Sequence, residues 1–375
     1  MKKFFAAALF ASLFFLPGAT AAQKGSFWKR LNPDSLASRN LRLLPLPIVS
    51  AGPETGLRVG LVLDYFYRSR STDSTITVRP SSSLVSVQYS TRGQFSAETS
   101  TSAFTANERW YLLFRGGFID NYERFWGYTA ATSVNDRFLE MRYNRLYLQS
   151  RATRNLGASV FAGMAASFSR HANTVFSPEG TEPLPALPAG PVNVTIGGAG
   201  LVLTLDRRDN QFSPTQGYYA DAGALLNFDL RSGRYAYTTL AFDLRRYQEW
   251  DCSVVAVQTL FWLANGEMPL LEKWRLGGSN SMRGLFQGRY RDNNLWTGQA
   301  EYRYSLHRLV KLAAFAGLGN TAPTTGRLFR ETVQASYGTG VRLLVNKEKK
   351  VYFRTDFAWS SNGQFGYYIR LGDAF

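Results

Sequence analysis

From Gly56 onward the chain alternates apolar and polar residues with a period of two, over runs too long for an ordinary soluble strand. Leu57, Val59, Leu61, Leu63, Tyr65 and Tyr67 fall on one face, while Arg58, Gly60, Asp64 and Arg68 fall mainly on the other. Similar runs recur to the C-terminus, many of them 10 to 14 residues long. Globular strands average about five or six residues, whereas a tilted membrane-crossing strand needs about 9–11. Beyond the first residues no apolar run approaches the 18 or more that mark a helical span.

The faces decide between a soluble and a membrane barrel. In 351–360, Val351, Phe353, Phe357 and Trp359 oppose Tyr352, Arg354, Asp356 and Ser360. In 296–306, Trp296, Tyr302, Tyr304 and Leu306 oppose Thr297, Gln299, Glu301 and Arg303. Many long strands rich in Tyr, Trp and Phe suit a barrel with an apolar outside, a polar inside and aromatic girdles. Aromatic residues make up 15% of the chain and glycines number 33, which favours strands and tight turns. Fifteen strands are legible between 57–69 and 364–374. A closed bacterial barrel takes an even number, so sixteen is the expectation, with 118–137 the place for the missing strand. Connections alternate between short turns, such as Thr91-Arg92-Gly93, and long loops, the longest at 172–192 and 265–292.

Export accompanies this pattern. Lys2 and Lys3, an apolar core from Phe4 to Leu16, and Ala19-Thr20-Ala21-Ala22 read as a cleaved signal peptide over residues 1–22. Residues 23–56 read as an N-terminal lead-in segment and 57–375 as the barrel. The net charge of +16 falls to +14 without Lys2 and Lys3. Those charges alternate with apolar residues and form no basic tail, which argues against nucleic acid. Cys252 is the only cysteine, so neither an intrachain disulfide nor a cysteine-based zinc site is available. His171, with Ser169 and Asn173 on the same parity, has the residue types of a hydrolase but no oxyanion-hole element beside it. His307 stands at a strand end. No metal site, cofactor or catalytic residue is expected.

Three stretches carry a resemblance. "LDRRDNQFSPTQGYYADAG" (205–223), "RLGGSNSMRGLF" (275–286) followed by "GQAEYRYSL" (298–306), and "RTDFAWSSNGQFGYYIRLGDAF" (354–375) resemble, in this order, segments of the BamA/TamA superfamily of outer-membrane barrels. The resemblance implies assistance in inserting or translocating proteins or lipids, without covalent catalysis, by lateral opening between the first strand (57–69) and the last (364–374). It implies that the sixth extracellular loop folds into the barrel with Arg283 docked on Asp356, Glu301 being a second partner. Arginine presents a fork of donors suited to a carboxylate, and Gly277, Gly278 and Gly284 permit close approach. It also implies a C-terminal insertion signal, Tyr367, Ile369, Leu371 and Phe375, read by the outer-membrane assembly machinery. Expected partners are therefore outer-membrane lipid, that machinery, and unfolded barrel proteins or a separate periplasmic protein; the barrel is expected to be a monomer.

Two departures stand out. Phe315-Ala316-Gly317-Leu318-Gly319 lacks the acid that many relatives carry on that strand, and the tandem POTRA domains of relatives have no counterpart in the sequence. The alternative is a passive pore or structural barrel, in which inward Arg245, Arg303, Arg342 and Arg354 would favour anions or pair with Asp243, Glu301 and Asp356.

Overall fold

The computed structural model describes residues 43–69, 78–79, 81–127, 137–178, 190–330, 332–346 and 350–375. The expected signal peptide and most of the lead-in segment lie outside the described residues. Two compact units are present, Met1–Leu44 and Pro45–Phe375; of the first, only the two residues that begin a strand are described.

The strands are β1 (Leu43–Gly52), β2 (Gly56–Tyr67), β3 (Ser81–Ser90), β4 (Phe95–Phe104), β5 (Trp110–Phe125), β6 (Leu139–Gly157), β7 (Val160–Pro178), β8 (Thr195–Asp206) and β9 (Gly217–Asp229). The second half holds β10 (Ala236–Trp250), β11 (Ser253–Gly266), β12 (Trp274–Arg275), β13 (Arg291–Asp292), β14 (Asn294–His307), β15 (Val310–Ala322), β16 (Gln334–Asn346), β17 (Val351–Ser360) and β18 (Phe365–Leu371). All except β12 and β13 close into one antiparallel barrel of sixteen strands, in which β1 meets β18. β12 and β13 pair with each other inside the β11–β14 connection.

Sixteen strands form, but the last is not where the pattern placed it. β5 continues unbroken to Phe125 and absorbs the first half of 118–137. The sixteenth strand is β1, within the presumed lead-in segment, so the closing pair is β1 and β18 rather than 57–69 and the C-terminal strand. Pro45 and Pro47 conceal it: proline donates no ladder hydrogen bond and is confined to sparsely paired strands. Among the described residues a single register pair spans the closure, Ala51 opposite Ile369. The neighbouring β17–β18 ladder runs from Phe353 opposite Leu371 to Trp359 opposite Phe365.

Alternation in burial follows the alternation in sequence. On β14, Tyr302 and Tyr304 are exposed while Glu301 and Arg303 are buried; on β17, Phe357 and Trp359 are exposed while Arg354 and Asp356 are buried. A shell with apolar side chains outward and charges inward is stable only with hydrocarbon around it. The turns 158–159, 251–252 and 308–309 lie at the end of the barrel that carries both termini of the wall. The long connection 267–293 belongs to the opposite end.

Candidate functional site

Residues 267–293 fold as a structured element. The β12–β13 ribbon forms its stem, and Arg275 and Arg291 fasten that stem to Glu123 of β5 at 2.6 and 2.8 Å. Above the stem, Leu276, Met282, Leu285 and Tyr290 bury themselves with Leu295 of β14, packed by Trp262 and Trp274. This small core fixes the tip and leaves Met282-Arg283-Gly284 facing the inward side chains of the wall.

Arg283 is 1% exposed. Its Nη1 lies 2.7 Å from Glu301 Oε2 and 2.8 Å from Asp356 Oδ2, so the structure brings all three expected residues together. The contact differs from the expected fork. One nitrogen faces both acids, Nε and Nη2 have no hydrogen-bond acceptor, and the guanidinium carbon lies 3.4 Å from the centroid of Phe315. Stacking on an aromatic face suits a desolvated guanidinium and adds to the ionic attraction. Phe315 thus contributes a ring where the sequence reading noticed only a missing acid.

The surrounding network is larger than a pair. Arg342 bonds Asp356 at 2.5 Å and Glu301 at 3.2 Å, and Arg303 bonds Glu301 at 2.7 Å. Arg303 and Arg342 also reach Asp373 at 3.0 and 3.5 Å. Arg354 approaches Asp356 at 3.5 Å and donates to Ser279 O and Asn280 Oδ1 of the loop. Four guanidinium groups therefore share three carboxylates. Buried charges are tolerable only when compensated in this way. Arg245 pairs separately with Asp243 at 2.5 Å.

Gly284 is required by its position. Its φ is 98°, and a Cβ there would stand 2.8 Å from the Trp359 carbonyl oxygen. Gly277 and Gly278 also have positive φ, 104° and 93°. The next backbone N–H groups span the barrel closure. Gly284 N–H donates to the Tyr368 hydroxyl of β18 at 3.1 Å, Phe286 N–H to Gln364 Oε1 of the β17–β18 turn at 3.1 Å, and Gln287 N–H to Glu54 Oε1 of the β1–β2 turn at 3.0 Å. Sequence reasoning missed Glu54, Gln364 and Tyr368, because turn residues and a tyrosine among many carry no periodic signal.

The C-terminus departs from parity. Tyr367 and Leu371 are exposed and Ile369 is half-buried, but Phe375 is buried. β18 ends at Leu371, and Gly372, with φ of 83°, turns the chain inward. Phe375 packs with Tyr247 and Ala256, and its backbone oxygen accepts from Arg303 at 3.2 Å. The four residues expected to form the insertion signal are thus split between the outer wall and the interior.

His171 does not build a hydrolase relay. Its Nε2 lies 2.6 Å from Glu272 Oε1 and 3.0 Å from Ser169 Oγ, with Nδ1 unpartnered. A carboxylate only accepts, so Nε2 carries the proton, and the nitrogen facing Ser169 has no lone pair for its hydroxyl. Asn173 sits apart, with φ of 55°, where the β6–β7 register slips. His307 Nδ1 accepts from Leu309 N–H within a short turn, at 3.4 Å. Among the described residues no group of acids, histidines and cysteine could hold a metal ion.

The geometry has counterparts in known proteins. BamA from Haemophilus ducreyi lacking POTRA domains 1-3 is similar with a TM-score of 0.57 and 11% identity, over 88% of this chain and 70% of that one. CdiB from Escherichia coli is similar with a TM-score of 0.55 and 10% identity, over 86% of this chain and 62% of that one. CdiB from Acinetobacter baumannii gives 0.51 and 10%, over 87% and 59%. At such identities the likeness is one of fold, and this chain spans less than two thirds of either CdiB chain. No curated protein matches the sequence. The described residues contain the barrel and no POTRA-like region. The Omp85 superfamily domain matches residues 55–375, and this sixteen-stranded outer-membrane barrel belongs to that superfamily.

Proposed function

We propose that the protein assists the insertion or translocation of proteins or lipids at the outer membrane by opening laterally between β1 and β18, with the Arg283 loop bracing the wall. Its family and fold support the general role. The observation that carries the finer reading is the closure itself. The first and last strands meet there, Ala51 opposite Ile369, and three backbone N–H groups of one loop, those of Gly284, Phe286 and Gln287, hold its two sides. Bonds from a loop can be released without unfolding the wall, and while made they would hold the closure shut until needed. Such a mechanism moves backbone hydrogen bonds and needs no covalent step.

The test uses Ala51→Cys/Ile369→Cys in a Cys252→Ser background. Directly opposed antiparallel residues lie about 4.5–5.5 Å apart at Cα, within disulfide reach. Liposomes holding this protein receive an unfolded outer-membrane barrel as client. Insertion should be faster than into empty liposomes, stop on oxidation and return on reduction. Equal rates in the oxidised and reduced forms would reject lateral opening.

A second reading, an anion-passing pore, rests on a cavity of about 760 Å³ inside the wall, lined by Arg115, Arg145, Arg151 and Arg245 among others. Planar-bilayer conductance with anion selectivity, without any effect on client insertion, would favour it.

A further inference from the structure

A second cavity, about 360 Å³, opens at the loop end of the β1–β18 closure. Its lining includes Pro53 of the β1–β2 turn, Phe286 of the loop, Phe365 and Tyr367 of β18, Arg92 of the β3–β4 turn and Arg124 near the end of β5. Phe365 and Tyr367 are 50% and 40% exposed and continue the outward aromatic face of Phe357 and Trp359. The cavity therefore borders the lipid-facing surface, at the level where headgroups begin. Its volume lies within the range of about 300–1,000 Å³ usual for small-ligand pockets.

Its charged lining is basic. No carboxylate lines the cavity, and neither arginine has an ion-pair partner among the described residues. Two acids nearby are already engaged. Glu54 accepts from Gln287 N–H, and Glu140, opposite Arg124 in the β5–β6 register, accepts the Tyr122 hydroxyl at 2.6 Å. Arg124 lies instead over the rings of Phe138 and Phe286, at 4.3 and 5.4 Å, with its Nε buried and lacking an acceptor. Arg142 is also without an ion pair, its guanidinium 5.2 Å from the Tyr122 ring, and it stands beside Gly93 in the turn that carries Arg92. Unlike the arginines around Glu301, Asp356 and Asp373, which share buried carboxylates, this group stands beside the lipid-facing aromatic rim.

The geometry points to a site for the phosphate of a lipid headgroup in the leaflet at the loop end, held by Arg92 and Arg124, with the acyl chains lying over Phe365 and Tyr367. Guanidinium donors match phosphate oxygens bidentately, and basic pockets at a membrane interface take phosphorylated headgroups in this way. A soluble anion would satisfy the arginines but leave the aromatic rim unused. Phe286 lines the cavity, and its own N–H donates to Gln364. A bound headgroup therefore bears on the loop contacts that span the closure, which couples lipid occupancy to the strap.

The test is independent of client insertion. Native mass spectrometry follows purified protein offered lipid A carrying two phosphates, one or none. Wild type should retain the phosphorylated forms, with retention falling as phosphates are removed and surviving millimolar inorganic phosphate. Arg92→Gln/Arg124→Gln should bind about tenfold more weakly, as expected for lost charge-assisted hydrogen bonds. Arg246→Gln, at an exposed arginine on β10, should match wild type. Heat-modifiable mobility reports whether each variant is folded; if the double variant is not, Arg92→Gln alone carries the comparison. Equal retention in wild type and variant, indifference to phosphate number, or displacement by inorganic phosphate would each overturn the site, the last by reducing it to an adventitious anion.

Discussion

The backbone N–H of Gln287 donates to Glu54 at 3.0 Å across 233 positions of sequence. Its neighbour Phe286 donates to Gln364, just ahead of the last strand. Adjacent residues of one loop thus hold the first and last hairpins. Glu54→Ala should leave the Arg283 anchor in place and free the first hairpin. A net hydrogen-bond contribution of about 1 kcal/mol corresponds to roughly fivefold faster amide exchange in β1. Exchange unchanged in β1 would deny the contact any role in closure.

Charge balance sets the second expectation. Asp356→Asn leaves four guanidinium groups to Glu301 and Asp373, whereas Arg283→Met leaves three guanidinium groups and three carboxylates. The first should cost about 3–5 kcal/mol, the range for breaking a buried ionic group, and the second about 1–3 kcal/mol. Denaturant unfolding of the reconstituted barrel measures both. A larger loss from Arg283→Met would place control in loop docking rather than in the wall.

Glu272 fixes the base of the loop to β7. Burial alone would raise its pKa, but the hydrogen bond from His171 and the charge of Arg145 hold it at about 2, below the usual 4.5. A depressed carboxylate contributes stability that is present above its unfolded value and lost as pH falls through its folded value. Wild type minus Glu272→Gln should therefore show a stability difference that shrinks between pH 4.5 and about 2. A difference that stays constant over that window would show that the ion pair adds nothing there.

Phe375 separates assembly from the folded state. Truncating a buried phenylalanine typically costs about 3–5 kcal/mol, so assembled Phe375→Ala should unfold at lower denaturant. Poor assembly with wild-type unfolding would restrict the residue to recognition by the assembly machinery.

Alternation made most of the wall legible, because one residue of slippage would exchange its two faces. It also placed Glu301, Arg303, Arg354 and Asp356 on one side. It failed where a strand breaks its own rules. Pro45 and Pro47 disguise β1, and the turn at Gly372 voids any parity carried past Leu371. The carboxylate partners of Arg283 were legible through the family resemblance, with arginine chemistry in agreement. The flat contact with Phe315 was not, because it depends on Gly338 across the sheet, where a Cβ would stand 2.5 Å from that ring. No one-dimensional pattern encodes that spacing.

The loop that ties the β1–β2 turn to the β17–β18 turn also bears on how the wall carries load. A hollow cylinder deforms evenly under lateral pressure. One braced from within on either side of a single line passes part of that pressure to the brace, so that bilayer thickness or tension would reach the loop through Glu54 and Gln364.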